Sequence, residues 1–100
     1  MPYDEEKPVT FGTERFPLAI YLHASGQLDF SHCESTPSGK VRFVFRDPEQ
    51  RGDELELGFE RGAQVPATAI FASQKFLRRK MSEALNNRKI AESLVYNSRS

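Results

Sequence analysis

The stretch from Lys40 to Asp47, KVRFVFRD, decides the fold of this chain. Val41, Phe43 and Phe45 stand at alternate positions within it. Because successive side chains of a β-strand point to opposite faces of a sheet, this pattern predicts a strand with one apolar face. The residues of the opposite face are Lys40, Arg42, Val44 and Arg46. We expect that face to lie in water, as one face of an antiparallel sheet commonly does.

The segment before this strand alternates in the same way. Leu28 and Phe30 share one side, and residues 35–39, Ser-Thr-Pro-Ser-Gly, have the composition of a loop. Two alternating segments joined by a short loop predict an antiparallel β-hairpin. The same alternation places His32 on the side of Phe30 and its neighbour Cys33 on the opposite side, which separates the two and argues against a Cys-His dyad.

A short helix is predicted before the hairpin, over residues 17–25. Leu18 and Leu22 fall at helical spacing. Pro17 suits the first position of a helix, because the N–H that proline lacks would have no partner there. Gly26 follows the helix, where a left-handed backbone conformation is commonly required.

A longer helix is predicted from Pro66 onward. Ile70 and Leu77 lie along one of its sides, with Phe71 beside them. We expect the pair Asn86-Asn87 to interrupt this helix. The side chains predicted to form the core are Leu18, Leu22, Val41, Phe43, Phe45, Phe71 and Leu77.

Residues 53–62, between the hairpin and the long helix, allow two interpretations. Leucine and phenylalanine alternate with glutamate there, which favours a third strand. Asp53 followed by Glu56 resembles a capping box, and Gly62 suits a helix end, which together favour a short helix. The segment is too short for its periodicity to distinguish the two.

The chain as a whole predicts one α+β domain. Its elements are a short N-terminal helix, an antiparallel β-hairpin, a short helix or third strand, and a longer C-terminal helix. A length of 100 residues suits a single domain. We expect residues 1–12 to form an extended acidic arm, residues 13–97 to form the domain, and residues 98–100 to form a frayed tail.

Composition and motifs argue against several classes of protein. No apolar run is long enough for a membrane span, and the acidic N-terminal segment MPYDEEKP is unlike a signal peptide. The single cysteine, Cys33, is typical of a cytoplasmic protein. The sequence has no phosphate-binding loop, dinucleotide motif or nucleophile elbow, and one cysteine with two histidines falls short of a zinc site. We therefore expect no catalytic residue, no metal and no cofactor.

Basic residues are concentrated near the C-terminal end of a chain whose formal net charge is zero. Residues 1–60 carry 6 Lys/Arg and 12 Asp/Glu, whereas residues 61–100 carry 8 Lys/Arg and 2 Asp/Glu. Two sets are candidates for contact with phosphate groups. The set on the long helix is Lys75, Arg78, Arg79 and Lys80. The set on the strand is Lys40, Arg42 and Arg46.

An alternative interpretation treats these basic residues as ordinary solvated surface. In that case some of them pair across the fold with acidic residues of the ambiguous segment, namely Glu54, Glu56 or Glu60. The two interpretations differ in whether the helical arginines lack carboxylate partners.

The order of these elements resembles a small family of uncharacterised bacterial and phage proteins, which is defined only as a domain of unknown function. The resemblance covers roughly residues 13–82, and Pro17 departs from the pattern. The positions that carry it are Leu18-Ala19 through Gly26, Val41 to Asp47, Leu55 to Gly62, Val65, and Phe71 with Leu77. It implies a compact α+β unit, often encoded near mobile elements, and it supplies no catalytic residues. It also favours a helix over residues 54–61.

Two functions follow as expectations. The first is a small non-enzymatic accessory module of a phage or mobile element, which binds DNA or RNA through its basic residues in the cytoplasm. The alternative is a module for protein–protein interaction or assembly, as a homo-oligomer or as a subunit of a larger complex. A two-stranded hairpin favours the alternative, because its edges are marginal unless they are covered or extended.

Overall fold

The strands form one layer of the molecule, and the helices form a second layer against one face of the sheet. The computed structural model describes residues 9–98, with side chains described for residues 9–86. In chain order the elements are β1 (Thr10–Thr13), α1 (Phe16–Ser25), β2 (Asp29–Ser35), β3 (Val41–Arg46), α2 (Gly52–Glu60) and α3 (Ala67–Ser98). This arrangement confirms the predicted α+β class, the β-hairpin and the longer C-terminal helix.

Strand β3 is the centre of a three-stranded antiparallel sheet with the order β1-β3-β2. The sequence predicts an extended arm over residues 1–12, because no apolar period is visible there. In the structure residues 10–12 of this arm pair with β3, so the third strand of the sheet comes from the N-terminal side of the domain. Residues 1–8 of the predicted arm and residues 99–100 of the predicted tail lie outside the described residues.

A β-bulge in β2 changes which side chains of the hairpin face the core. The register shifts between Phe30 and His32, so that Ser31 is an extra residue on this strand. One extra residue reverses the alternation beyond it. Phe30 and Cys33 therefore share the core face, whereas His32 is exposed on the opposite, open face. The prediction that His32 shares the face of Phe30 is wrong for this reason.

Val44 is buried although it lies on the open face of the sheet. Only 5% of its surface is exposed, because it sits on the central strand between Gly12 and His32. The Arg42 side chain lies so close to Gly12 that a Cβ atom there would overlap it. The open face is thus covered in part by the long side chains of its own strands.

The core lies between the sheet and the helices. Its fully buried members, by size, are Phe43, Phe45, Leu18, Leu22 and Leu77. These five belong to the predicted core, and Val41 joins them at 8% exposure. Phe71 does not, because it is 67% exposed. Helix α3 presents its buried side through Ser73 and Leu77, and a residue six positions before Leu77 points to a different side of the helix.

Helix α1 has the predicted ends to within one residue. It begins at Phe16, with Pro17 in its first turn, and it ends at Ser25. Gly26 adopts φ 71° and donates its N–H to the carbonyl oxygen of His23. This left-handed residue is the predicted end of the helix.

Residues 52–60 form helix α2, and an aspartate outside the helix holds its first turn. Asp47 is 3% exposed, and its two carboxylate oxygens accept hydrogen bonds from the N–H groups of Arg51 and Gly52, both at 2.7 Å. The predicted capping box with Asp53 is therefore wrong, since the N-cap residue is Arg51 and no side chain caps from that position. A carboxylate at a helix N-terminus satisfies free N–H groups and is attracted by the helix dipole.

Helix α3 runs without interruption from Ala67 to Ser98. The expected break at Asn86-Asn87 is therefore wrong. Asparagine lowers helix stability by only about 0.7 kcal/mol relative to alanine, which is too little to end a helix that continues on both sides.

The two phenylalanines Phe43 and Phe71 provide a matched test of the core. Phe43→Ala should lower the free energy of unfolding by about 3–5 kcal/mol, because it leaves a cavity under α1 and α3. Phe71→Ala should change it by no more than about 0.5 kcal/mol, because the ring is exposed. Urea unfolding followed by circular dichroism measures both values. Equal effects of the two substitutions would contradict the described register of β3 and α3.

Candidate functional site

The described residues hold no group of three or more His, Cys, Asp or Glu side chains arranged to bind a metal ion. Likewise, no helix in the described part of the chain combines the length and the apolar character needed to cross a membrane.

His23 and Ser73 form a hydrogen-bonded pair between α1 and α3. The Nδ1 atom of His23 lies 2.7 Å from the Ser73 hydroxyl oxygen, and the His23 ring stacks on Phe76 with ring centres 4.6 Å apart. Burial lowers the pKa of His23, which favours its neutral form. A nucleophilic serine needs an accessible hydroxyl, yet Ser73 is only 3% exposed. The pair therefore joins the two helices and does not resemble a catalytic dyad.

Cys33 lies on the core face of β2 beside α3. It lines a surface depression of about 350 Å³ together with Lys80 and Glu83. Burial raises the pKa of its thiol to about 11; Lys80 opposes this shift and Glu83 adds to it. A reactive cysteine has a lowered pKa, so we expect the Cys33 thiol to be a poor nucleophile.

The strand set of basic residues is opposed by acids on the same face. Glu34 stands directly opposite Arg42 across the sheet, and Asp29 stands opposite Arg46. Arg46 donates a hydrogen bond to the carbonyl oxygen of Phe30 at 3.3 Å. Oppositely charged residues at facing positions attract each other, so the open face offers little positive potential to a phosphate backbone. Lys40, the third member, lies exposed beside the hairpin loop.

The helical set is less neutralised. Lys75, Arg78 and Arg79 are exposed, and none forms an ion pair with a carboxylate within the described part of the chain. Lys80 is partly buried, and its Nζ lies 3.7 Å from a carboxylate oxygen of Glu83. The Arg78 guanidinium lies 5.8 Å from the centre of the Phe16 ring. Arg42 and Arg46 lie on the open face of the sheet, whereas α3 packs on the core face, so the two sets do not form one surface.

The acidic side chains of α2 form ion pairs with a residue outside α3. Arg15, just before α1, bonds to Glu56 at 2.7 Å and to Glu60 at 2.8 Å. The expectation that arginines of α3 pair with these acids is therefore wrong among the described side chains. Sequence reasoning missed this pairing because Arg15 is separated from its partners by 41 and 45 residues.

An apolar groove lies over the outer side of α1. Its volume is about 430 Å³, and its apolar lining comes from all three helices and the loop before α3. The main lining residues are Pro17, Ile20, Tyr21, Phe59, Val65 and Ile70. The Tyr21 and Phe59 rings lie with centres 5.5 Å apart at one wall. We refer to this feature as the α1 groove. Its signal in the sequence was that residues 16–22 are apolar on every side of the helix, whereas a surface helix has a polar face.

Helices α2 and α3, which both contribute to the lining of the α1 groove, carry charges of opposite sign. Asp53, Glu56 and Glu60 recur at helical spacing on α2, and we call them the acidic flank. On α3, the Arg78 guanidinium lies over the Phe16 ring of α1, and we call Lys75, Arg78 and Arg79, all exposed on this helix, the basic flank. Tyr21 contacts α2, whereas His23, two residues farther along α1, contacts α3. Because residues two apart point to opposite sides of a helix, α2 and α3 lie on opposite sides of α1.

The raised pKa of Cys33 predicts slow alkylation. Iodoacetamide reacts with the thiolate, so at pH 8 the folded protein should react about a hundredfold more slowly than an ordinary cysteine. Its rate should rise about tenfold for each pH unit from pH 7 to pH 9.5, whereas the rise for the urea-unfolded protein should flatten above pH 9, where an ordinary thiol is already about half ionised. Equal rates for the folded and unfolded protein would show that the thiol is accessible and ordinary.

Comparisons with known proteins give no assignment. No family model matches the chain, and no curated protein or solved structure matches it either. The resemblance to uncharacterised bacterial and phage proteins thus stays a prediction.

Proposed function

We propose that this chain is a non-enzymatic assembly module of the cytoplasm, which docks on a protein through the α1 groove. The observation that carries this proposal is the apolar outer side of α1, which stays open between α2 and α3. The proposal corresponds to the second of the two functions expected from the sequence.

The apolar character of α1 favours a partner that covers the outer side of this helix. A helix that is apolar on all sides is typical of one that is buried on all sides. Leu18 and Leu22 face the core, but Pro17 on the outer side is exposed. Contiguous apolar surface on a folded protein commonly marks an interaction site. Covering the groove removes apolar area from water, which stabilises a complex by about 25 cal/mol for each Å².

The charges around the groove favour a protein over a nucleic acid. A phosphate backbone that lay along α1 would meet the basic flank on one side and the acidic flank on the other. A protein surface can present both signs of charge and so complement both flanks.

Site-specific crosslinking tests this proposal. A benzophenone amino acid replaces Ala63, which is exposed at the groove, and in a control it replaces Lys40, which is exposed beside the hairpin loop. After irradiation in an extract of the source cells, position 63 should give a discrete adduct and position 40 should not. Excess unlabelled wild-type protein should compete that adduct away, and excess Val65→Asp variant should not. Diffuse products of equal yield at both positions would contradict a docking role for the groove.

A second candidate function is contact with DNA or RNA through α3, as an accessory protein of a phage or mobile element. The absence of described carboxylate partners for Lys75, Arg78 and Arg79 favours it. Phe71 is exposed and shares a helix face with Lys75 and Arg78, so a ring is present on which an unpaired base can stack.

Charge reversal on α3 tests the second candidate. Arg78→Glu with Arg79→Glu should weaken binding to single-stranded DNA, duplex DNA or RNA by about tenfold or more, because two phosphate contacts become repulsive. Wild-type affinity should also fall as salt is raised. Fluorescence anisotropy measures both, and a melting curve checks the fold. Lys40→Glu with Arg42→Glu is the matched control. Equal losses in both double variants would point to non-specific attraction and against an α3 surface.

A further inference from the structure

We infer that the partner in the α1 groove is a second copy of this chain, placed by a two-fold axis that runs parallel to α1. This inference rests on the proposed docking function. It names the occupant, and it adds which helix of one copy faces which helix of the other.

The surface around the groove is complementary in charge to a second copy of itself. Helix α2 has four acidic residues and no basic residue, and the first part of α3, residues 67–86, has four basic residues and one acidic residue. These helices lie on opposite sides of α1, with the apolar groove between them. A two-fold interface uses the same patch on both copies, so that patch has to be complementary to itself.

Electrostatics selects the direction of the axis. Suppose that two copies stack with their helix layers in contact. A two-fold axis parallel to α1 then places α2 of one copy opposite α3 of the other. Each acidic flank then faces the basic flank of the other copy, and the two outer sides of α1 meet at the centre. An axis in the same plane but across α1 would place acidic flank on acidic flank and basic on basic, which is repulsive.

The flanks retain charge for such contacts. Two carboxylates, those of Glu56 and Glu60, share the one guanidinium of Arg15, so these three side chains together carry one net negative charge. The side chain of Glu60 is 51% exposed. On α3, Lys75 is exposed and has no described carboxylate partner. Glu60 and Lys75 are therefore the residues that we expect to pair between copies, twice in each dimer.

Sedimentation equilibrium of purified protein tests the inference. Wild-type protein should associate to twice the 11.4 kDa of one chain. Glu60→Lys and Lys75→Glu should each weaken the dimer by about tenfold or more, because each change makes both symmetry-related contacts repulsive. An equimolar mixture of the two variants should form a heterodimer, since both contacts in that pair join opposite charges again. Glu54→Lys, which lies on the other side of α2, and Lys40→Glu should leave the dimer unchanged.

Two results would overturn the inference. One is a wild-type protein that stays monomeric up to about millimolar concentration, where even weak specific contacts are populated. The other is a dimer that Glu60→Lys and Lys75→Glu leave intact, which would place the contact on another surface. Both results differ from failure of the docking function itself. A groove adduct from position 63 with a different chain would keep the docking function and remove the second copy, whereas no groove-dependent adduct would remove both.

Discussion

The burial of the apolar face of β3 is the constraint on which the other elements depend. This strand is paired on both sides, so its backbone groups are satisfied, but Phe43 and Phe45 need a cover that excludes water. Helices α1 and α3 supply it over most of the sheet, with Leu77 from α3 fully buried. Helix α2 completes the cover beside β1, where Gly52 has no side chain to overlap the Phe11 ring.

Features encoded by neighbouring residues could be predicted, and features made by distant residues could not. The hairpin and most of the core follow from periodicity, and the end of α1 follows from the conformation that Gly26 allows. The orientation of His32 depends on a bulge that has no side-chain signature, and the role of Asp47 depends on the path of the turn after β3. Of the candidate sites, the helical cations were visible in the sequence, whereas the α1 groove combines four separate segments that only the fold brings together.

The two faces of the molecule distribute charge differently. On the open face of the sheet, acids stand opposite Arg42 and Arg46, so charges of opposite sign face each other across the strands. In the helix layer, Arg15 offsets only part of the negative charge of α2, and most basic residues of α3 have no described carboxylate partner, so these two helices keep charges of opposite sign. Charge separated in this way remains available to a partner that contacts both helices. The net charge of the chain is zero, yet its helix layer has an acidic region on α2 and a basic region on α3.

The bulge at Ser31 also affects what the sheet can do at its border. Strand β2 is an outer strand, and the free N–H and C=O groups of such strands readily hydrogen bond to strands of other molecules. A bulge disturbs the even spacing that such pairing needs and twists the border away. The opposite border, β1, has only four residues. The sheet is therefore a poor template for the edge-to-edge growth that leads to fibrils, and this protects a small protein whose central strand is rich in phenylalanine.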